Sequence, residues 1–237
     1  MKTPLILSVE TSGTQGSIAL FKEVTLSQVN FSFRVKSYST VIFPFLKKLL
    51  ETTKISLKDV DYYALNIGPG SFTGLKIACA LIKGLCLKYN KPIIKISSLE
   101  ALAYFFPFFS SSILSLVDAY TKEVFLAMYK WEKNKLKTLI SPVCLPFKKL
   151  SVVINKNEPI LVVSETIEKW KEELKEMLGK NILFPPYVVE LNASHIAKIA
   201  WHKLQQDEVA FETPETLKPF YLKASEAERK KNVNLSS

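Results

Sequence analysis

Short continuous apolar runs alternate along this chain with longer segments that place apolar residues at helical spacing. Leu5 to Glu10 is continuous and predicts a buried strand. The turn-rich stretch Thr11 to Gly16 follows. Ser17 to Phe21 then predicts a second strand, and Val24 to Phe33, with partial alternation, a third. Ser39 can cap a helix running to about Thr52, with Val41, Ile42, Phe45, Leu46, Leu49 and Leu50 at helical spacing. Phe43 adds to its opposite flank, and Pro44, one turn in, should bend it. Asp61 to Ile67 predicts a strand, Ser71 to Tyr89 a helix, and Pro92 to Ile96 a strand. Ser97 or Ser98 caps a further helix reaching Phe105 or Phe106.

A second round begins near Ser111. Ile113 to Val117, Glu123 to Trp131, Lys135 to Val143 and Ile160 to Val163 predict strands. Glu165 to Leu178 predicts a helix stopped by Gly179, and Ala193 to Gln206 another. A polar helical run is expected in the tail, Lys218 to Lys231. This order is the α/β signature. Two α/β halves without a detectable sequence repeat fit an actin-like architecture. The expected division is 1–107 and 108–237, with a tail at about 215–232 returning to the first half.

Composition narrows the picture. Hydrophobic residues make up 48% and charged residues 23%, as in an ordinary soluble globular chain. The net charge of +10 raises the odds of meeting a polyanion. The basic residues are lysines apart from Arg34 and Arg229, and arginine is the better reader of phosphates and bases, so weak attraction to RNA is expected rather than specific recognition. Cys79 and Cys86 sit seven apart on one predicted helix, too far for a disulfide. With Cys144 they form no metal spacing, so buried thiols in a cytoplasmic setting are expected. No targeting segment or bilayer span is evident.

The run Asn66-Ile67-Gly68-Pro69-Gly70-Ser71 joins a strand to a helix and looks like a phosphate or acyl-phosphate loop, because glycines permit close approach and helix N-termini favour anions. Glu10, Thr11 and Ser12 end the first strand, where an actin-like ATPase usually carries Asp; Asp118 ends a later one. Both acids have a plain reading too, as turn residues. Beyond these the catalytic equipment is thin. His195 and His202 are seven apart, not at the zinc-helix spacing of three or four, and read as polar or capping side chains. There is no Walker A run and no GxSxG elbow.

The helix from Ser71 to Tyr89 is apolar nearly all round. Leu75, Ala78, Cys79, Ile82 and Cys86 line one side; Ile77, Leu81, Leu85 and Tyr89 line another. Gly74, Ala78, Ala80 and Gly84 would let a second helix approach. One sheet covers one face, so another face needs a partner, from this chain or a different one.

Several segments resemble the TsaB (YeaZ) family, noncatalytic relatives of the TsaD enzymes. They are Ile6 to Ser12, the GPGSFTG run from Gly68 to Ile77, Ser97 to Ala103, Asp118-Ala119-Tyr120 with Glu123-Val124-Phe125, and Pro219 to Lys223. The run at Gly68 is the specific one, and residues 145–210 carry little of the likeness. The chain has Tyr38 before Ser39 where relatives often have His, and Lys76 and Tyr120 where they have Arg. It lacks the His-x-x-x-His pair that holds metal in TsaD enzymes.

The resemblance implies an actin-like (ASKHA, ribonuclease H-like) fold of two similar subdomains, without catalytic residues, metal or cofactor. It implies an accessory subunit that partners a TsaD-type threonylcarbamoyl transferase and, through the complex, a TsaE-type ATPase. Together they form threonylcarbamoyladenosine beside the tRNA anticodon, with tRNA touched indirectly and a homodimer as resting state. The family docks through its first two helices. The expected interface is Ser39, Ile42, Phe43, Leu46, Leu50, Phe72, Leu75, Ala78, Cys79, Ile82 and Cys86. The candidate vestigial nucleotide site is Glu10, Thr11, Ser12, Gly68, Gly70 and Asp118. The rival expectation is an actin-like kinase or nucleotide hydrolase built on the same loops.

Overall fold

A computed structural model describes residues 3–32, 38–154 and 158–223. The opening run Ile6–Glu10 (β1) is buried at every position, as a continuous apolar strand must be. It pairs antiparallel with Gln15–Lys22 (β2), which pairs with Val24–Ser32 (β3). On its other side β1 runs parallel to Tyr62–Gly68 (β4), and β4 to Ile93–Ser97 (β5). The helices Tyr38–Thr53 (α1) and Phe72–Tyr89 (α2) share one core cluster with Leu7, Val9, Ile18, Leu20 and Leu65, so both cover the same face of this sheet. Pro44 lies within the first turns of α1. Ser71 caps α2 by accepting from the Gly74 amide at 3.3 Å.

The second half repeats the plan. After Ser98–Ala103 (α3), whose cap is Ser97, come Ser112–Asp118 (β6), Glu123–Glu132 (β7) and Lys135–Pro146 (β8), antiparallel in turn. The short helix Leu150–Val153 (α4) leads to Ile160–Val163 (β9). Lys171–Leu178 (α5) then precedes the two-residue strand Ile182–Leu183 (β10). β9 is parallel to β6 and β10 to β9. The strand order β10-β9-β6-β7-β8 reproduces β5-β4-β1-β2-β3, and Phe211–Glu212 (β11) adds an antiparallel edge to the first sheet. The expected pair of similar α/β halves is therefore present as one topology used twice.

The last helix, Ala193–Gln205 (α6), belongs to the first sheet rather than the second. Ile196, Ala197 and Ala200 pack with Ile6, Phe21, Ala64 and Ile94, the residues alternating with those that face α1 and α2. The Ser8 hydroxyl donates to the Ala193 carbonyl at 2.7 Å. The chain thus returns to the first half well before residue 215. Beyond α6, Leu217 enters the α1–α2 core, and the Phe220 amide donates to the Ile67 carbonyl at 2.7 Å. The Lys223 ammonium then reaches the β6–β7 turn, donating to the Ala119 carbonyl at 3.2 Å, to Thr121 at 3.1 Å and to Glu123. Of the tail 218–231, where a polar helical run is expected, residues 218–223 form no helix and the rest lie outside the described residues. No described helix is long and apolar enough to cross a membrane.

Candidate functional site

A cleft of about 520 Å³ opens where the two halves meet. The β1–β2 turn (Ser12 to Ser17), Gln28 and Asn30 of β3, and Gly70-Ser71 form one wall. The end of β6 (Leu116 to Asp118), Tyr120, Ser164 to Thr166 after β9, and Glu190 to Asn192 before α6 form the other. This is where open α/β sheets commonly present ligand sites, beyond the carboxyl ends of strands. Its chemistry is one-sided. Asp118, Glu165 and Glu190 line it, and no lysine, arginine or histidine does among the described residues.

Each predicted loop residue has a partner inside the protein. Glu10 is buried; it accepts from the Ser12 amide at 2.5 Å and from Asn66 Nδ2 at 2.6 Å. Burial raises its carboxyl above the ordinary value, against hydrogen bonds from Ser12, Asn66 and Thr11 that pull the other way. Asn66 in turn bonds Ser12 at 3.1 Å, and its Oδ1 accepts from the Gly68 amide at 2.8 Å and the Ser98 hydroxyl at 2.9 Å. The Thr11 hydroxyl donates to the Gly74 carbonyl at 2.9 Å.

The glycines of the Gly-Pro-Gly run make room for protein. A Cβ on Gly70 would stand 2.5 Å from the Ser12 carbonyl oxygen and 2.8 Å from its Cβ. The Ser71 amide, the kind of donor an anion would use, is given to that same carbonyl at 2.7 Å. Gly68 adopts φ +105°, and a Cβ there would meet Leu75 at 2.6 Å. Asp118 does face the cleft, where it accepts from the Tyr120 amide at 2.8 Å and pairs with Lys169 at 2.5 Å.

Glu165 was absent from the sequence candidates. It follows the β9 run Ile160-Leu161-Val162-Val163 by two residues, so the strand-end rule that selected Asp118 would have found it. Its carboxylate accepts from the Leu191 amide at 2.7 Å and stands close to Gly13 in the β1–β2 turn. Burial pushes its pKa up to about 7, the nearby Glu10 and Glu190 adding to the rise and the Leu191 hydrogen bond opposing it.

Both histidines are structural. His195 stacks on Phe105 at 3.8 Å between ring centres, with Nε2 2.8 Å from the Ala101 carbonyl. Burial pulls its pKa down to about 4, so it is neutral near pH 7 and that nitrogen carries the proton. Cys79 and Cys86 are buried thiols.

The expected interface residues divide between two environments. Ile42, Leu46, Leu75, Ala78, Cys79, Ile82 and Cys86 are buried in the protomer, since the first sheet and the contact between α1 and α2 cover them. They are core, not surface. Leu50 is half-buried, and the side chain of Ser39 lies outside the described residues. Of the expected set the helices expose Phe43 (60% exposed) on α1 and Phe72 (37%) on α2, and α2 also exposes Lys76, Ala80, Gly84, Leu87 (73%) and Lys88. A Cβ on Gly84 would meet nothing within 4 Å.

The doubled topology and this cleft define an actin-like α/β protein. Comparison with known proteins is consistent throughout. The sequence model of the TsaD family, tRNA N6-adenosine threonylcarbamoyltransferase, matches residues 22–234. The chain is 27% identical over 233 residues to the tRNA threonylcarbamoyladenosine biosynthesis protein TsaB of Bacillus subtilis, covering 95% of this chain and 96% of that one. It is 24% identical over 220 residues to TsaB of Haemophilus influenzae, covering 88% and 92%. The fold is that of YeaZ from Pseudomonas aeruginosa, with a TM-score of 0.75, 22% identity, and 92% of this chain and all of that one aligned. The chain belongs to the TsaD family and, within it, to the TsaB branch.

Proposed function

We propose that this chain is a noncatalytic subunit of the machinery that makes threonylcarbamoyladenosine in tRNA, and that it docks on and activates a TsaD-type transferase through the exposed strip of α1 and α2. The observation that carries the reading is the cleft. Nucleotide chemistry needs cationic groups or bound metal against the phosphates. Here three carboxylates face the space, Glu10 is consumed by Ser12 and Asn66, and the Ser71 amide is consumed by Ser12. A kinase or hydrolase built on these loops would need a cationic side chain against its phosphates, and among the described residues none lines the cleft. The curated relatives are named for tRNA threonylcarbamoyladenosine biosynthesis, which supplies the process.

The strip supplies the means. Phe43 and Leu87 are large apolar side chains left in water, and the small exposed residues Ala80 and Gly84 of α2 leave room for a partner helix. A TsaE-type ATPase and tRNA join through the catalytic subunit, with the lysine-rich surface adding weak attraction for RNA. The test is reconstitution. The chain should co-purify with a TsaD-type protein and be required for tRNA modification in the mixture. Alone, with ATP and magnesium, it should turn over nothing. Robust ATP hydrolysis or phosphoryl transfer by the lone chain would reject the reading.

A further inference from the structure

Three consecutive residues of the β6–β7 turn, Tyr120, Thr121 and Lys122, have φ of +57°, +52° and +60°. Glycine holds that conformation freely, and residues with a Cβ do not. No other run of three does so among the described residues. The core does not call for these side chains, since Tyr120 is 68% exposed and Thr121 and Lys122 are exposed beside it. Thr121 meets Lys223 at 3.1 Å. Tyr120 and Lys122 are held through their backbones. The Tyr120 amide donates to Asp118 at 2.8 Å, its carbonyl accepts from the Glu123 amide at 3.0 Å, and the Lys122 carbonyl accepts from the Phe147 amide at 2.9 Å. Glycine at either position would make the same bonds with less strain. An aromatic ring and an ammonium kept there point to a use outside the protein.

The bond from Phe147 brings a second basic turn alongside. Phe147–Lys149 follows β8, and its Lys148 and Lys149 are exposed. Lys122, Lys148 and Lys149 pair with no carboxylate among the described residues. The carboxylates flanking the β6–β7 turn are already taken, Asp118 by Lys169 and Glu123 by Lys223. Glu165 and Glu190 face the cleft, which none of these three lysines lines. The basic face is therefore outside the cleft, with Tyr120 at the rim.

An exposed ring flanked by unpaired ammonium groups suits a polyanion that also offers flat, unpaired bases. Stacking on an aromatic face tolerates any base, and lysine attracts phosphate as a point charge without the fork that lets arginine read bases. Duplex RNA offers the phosphates without the free base. Resting on the reading of this chain as part of a tRNA-modifying assembly, we infer that the β6–β7 turn and Phe147–Lys149 form a contact for a single-stranded stretch of RNA, a base stacking on Tyr120 and backbone phosphates lying beside Lys122, Lys148 and Lys149. The contact positions the RNA and does not read its sequence.

The experiment follows binding of an unmodified tRNA transcript by fluorescence anisotropy, for the full chain alone and for the full chain with a TsaD-type subunit. In Lys122→Gln/Lys148→Gln/Lys149→Gln, affinity near about 50 mM salt should fall at least about tenfold, and the slope of log affinity against log salt should shrink by about two to three. Tyr120→Ala should weaken binding of a single-stranded RNA of about 12 nucleotides roughly fivefold or more, with the slope unchanged. The same change should leave duplex binding as it was, and Tyr120→Phe should keep the stack. Lys122→Gly should lose about one from the slope while the Tm holds or rises, because glycine relaxes the turn.

Unchanged affinity and slope in the triple variant overturn the inference and leave the accessory-subunit reading intact, since none of these residues lies on α1 or α2. So does a lowered Tm for Lys122→Gly with its slope unchanged, which makes the turn a structural device only. Binding to anionic phospholipid vesicles that matches RNA binding and is lost in the same variants also overturns it. If no complex with a TsaD-type subunit forms, the accessory-subunit reading fails, and the salt slope of the lone chain still decides the inference.

Discussion

At the scale of single residues, the sequence shows where the backbone comes close to something, but not to what. Gly68 and Gly70 are required because Leu75 and the backbone of Ser12 press on them, and the sequence does not name the neighbour because a glycine records only the absence of a Cβ. Gly70→Ala should therefore destabilise the isolated chain by about 1–3 kcal/mol through overpacking against backbone, read as a lowered Tm with no ligand present. Glu165 and His195 tilt the pH dependence of stability in opposite directions. Glu165 has a folded pKa of about 7 against an ordinary 4.5, so between these values the folded state holds more proton than the unfolded, and stability falls as pH rises. His195 is displaced from 6.5 down to about 4, so the unfolded state binds the proton first and stability falls as pH drops through that window. The two partly cancel. Glu165→Gln keeps an oxygen for the Leu191 amide and removes one slope. It should raise stability at pH 8 by on the order of 1–3 kcal/mol, and leave a clearer loss on acidification below about 6.5. Urea denaturation across pH reads both effects.

At the scale of elements, most helices and strands were legible because their period and caps were strong. α2 begins after Ser71 and α6 after Asn192, and each capping side chain accepts a backbone amide of its own first turn. β10 and β11 were not legible, since two-residue strands carry no period. The burial of most of the expected interface residues is not legible for a related reason. The sequence establishes that α2 has two apolar sides but not that the sheet covers one while the contact with α1 helps cover the other. Ala78 and Ile82 sit within the core. Glutamates at both would bury two unpaired charges and unfold the chain, so their substitution reports on folding, not docking. Ala80 and Gly84 face out. Gly84→Ala should stabilise α2 by about 0.5–1 kcal/mol, because it removes a glycine from a helix interior where a methyl meets open space. Ala80→Glu should leave the unfolding free energy of the lone chain unchanged to within about 1 kcal/mol while weakening transferase binding at least about tenfold. Equal binding by Ala80→Glu would move the docking surface elsewhere.

At the scale of the whole molecule, the order of elements along the chain implies two similar α/β halves, but neither the repeated strand order nor the route by which the chain ties its halves together is legible there. That route depends on contacts between residues far apart in sequence, and no local pattern announces them. α6 leaves the second half to cover the first sheet. The segment after it then runs back: Leu217 in the first core, Phe220 on Ile67, the Tyr221 ring tilted against Phe72 at 4.9 Å between centres, and Lys223 on the β6–β7 turn. In that turn Tyr120, Thr121 and Lys122 all hold positive φ, a conformation that non-glycine residues keep only when the surroundings enforce it. Lys223 supplies part of that enforcement through the Ala119 carbonyl, Thr121 and Glu123. A chain ending at Lys218 retains the Leu217 anchor and loses the rest. It should stay folded, since both sheets and α6 remain. Amide exchange should then speed up in two places at once, the β6–β7 turn and the first turn of α2, which lie in different halves and share only this strap. Lys223→Met should quicken exchange in the turn alone, because Tyr221 and Phe220 still hold α2. If truncation left the turn as protected as in the full chain, the strap would be a passenger and the halves would be held by the cleft wall and α6 alone.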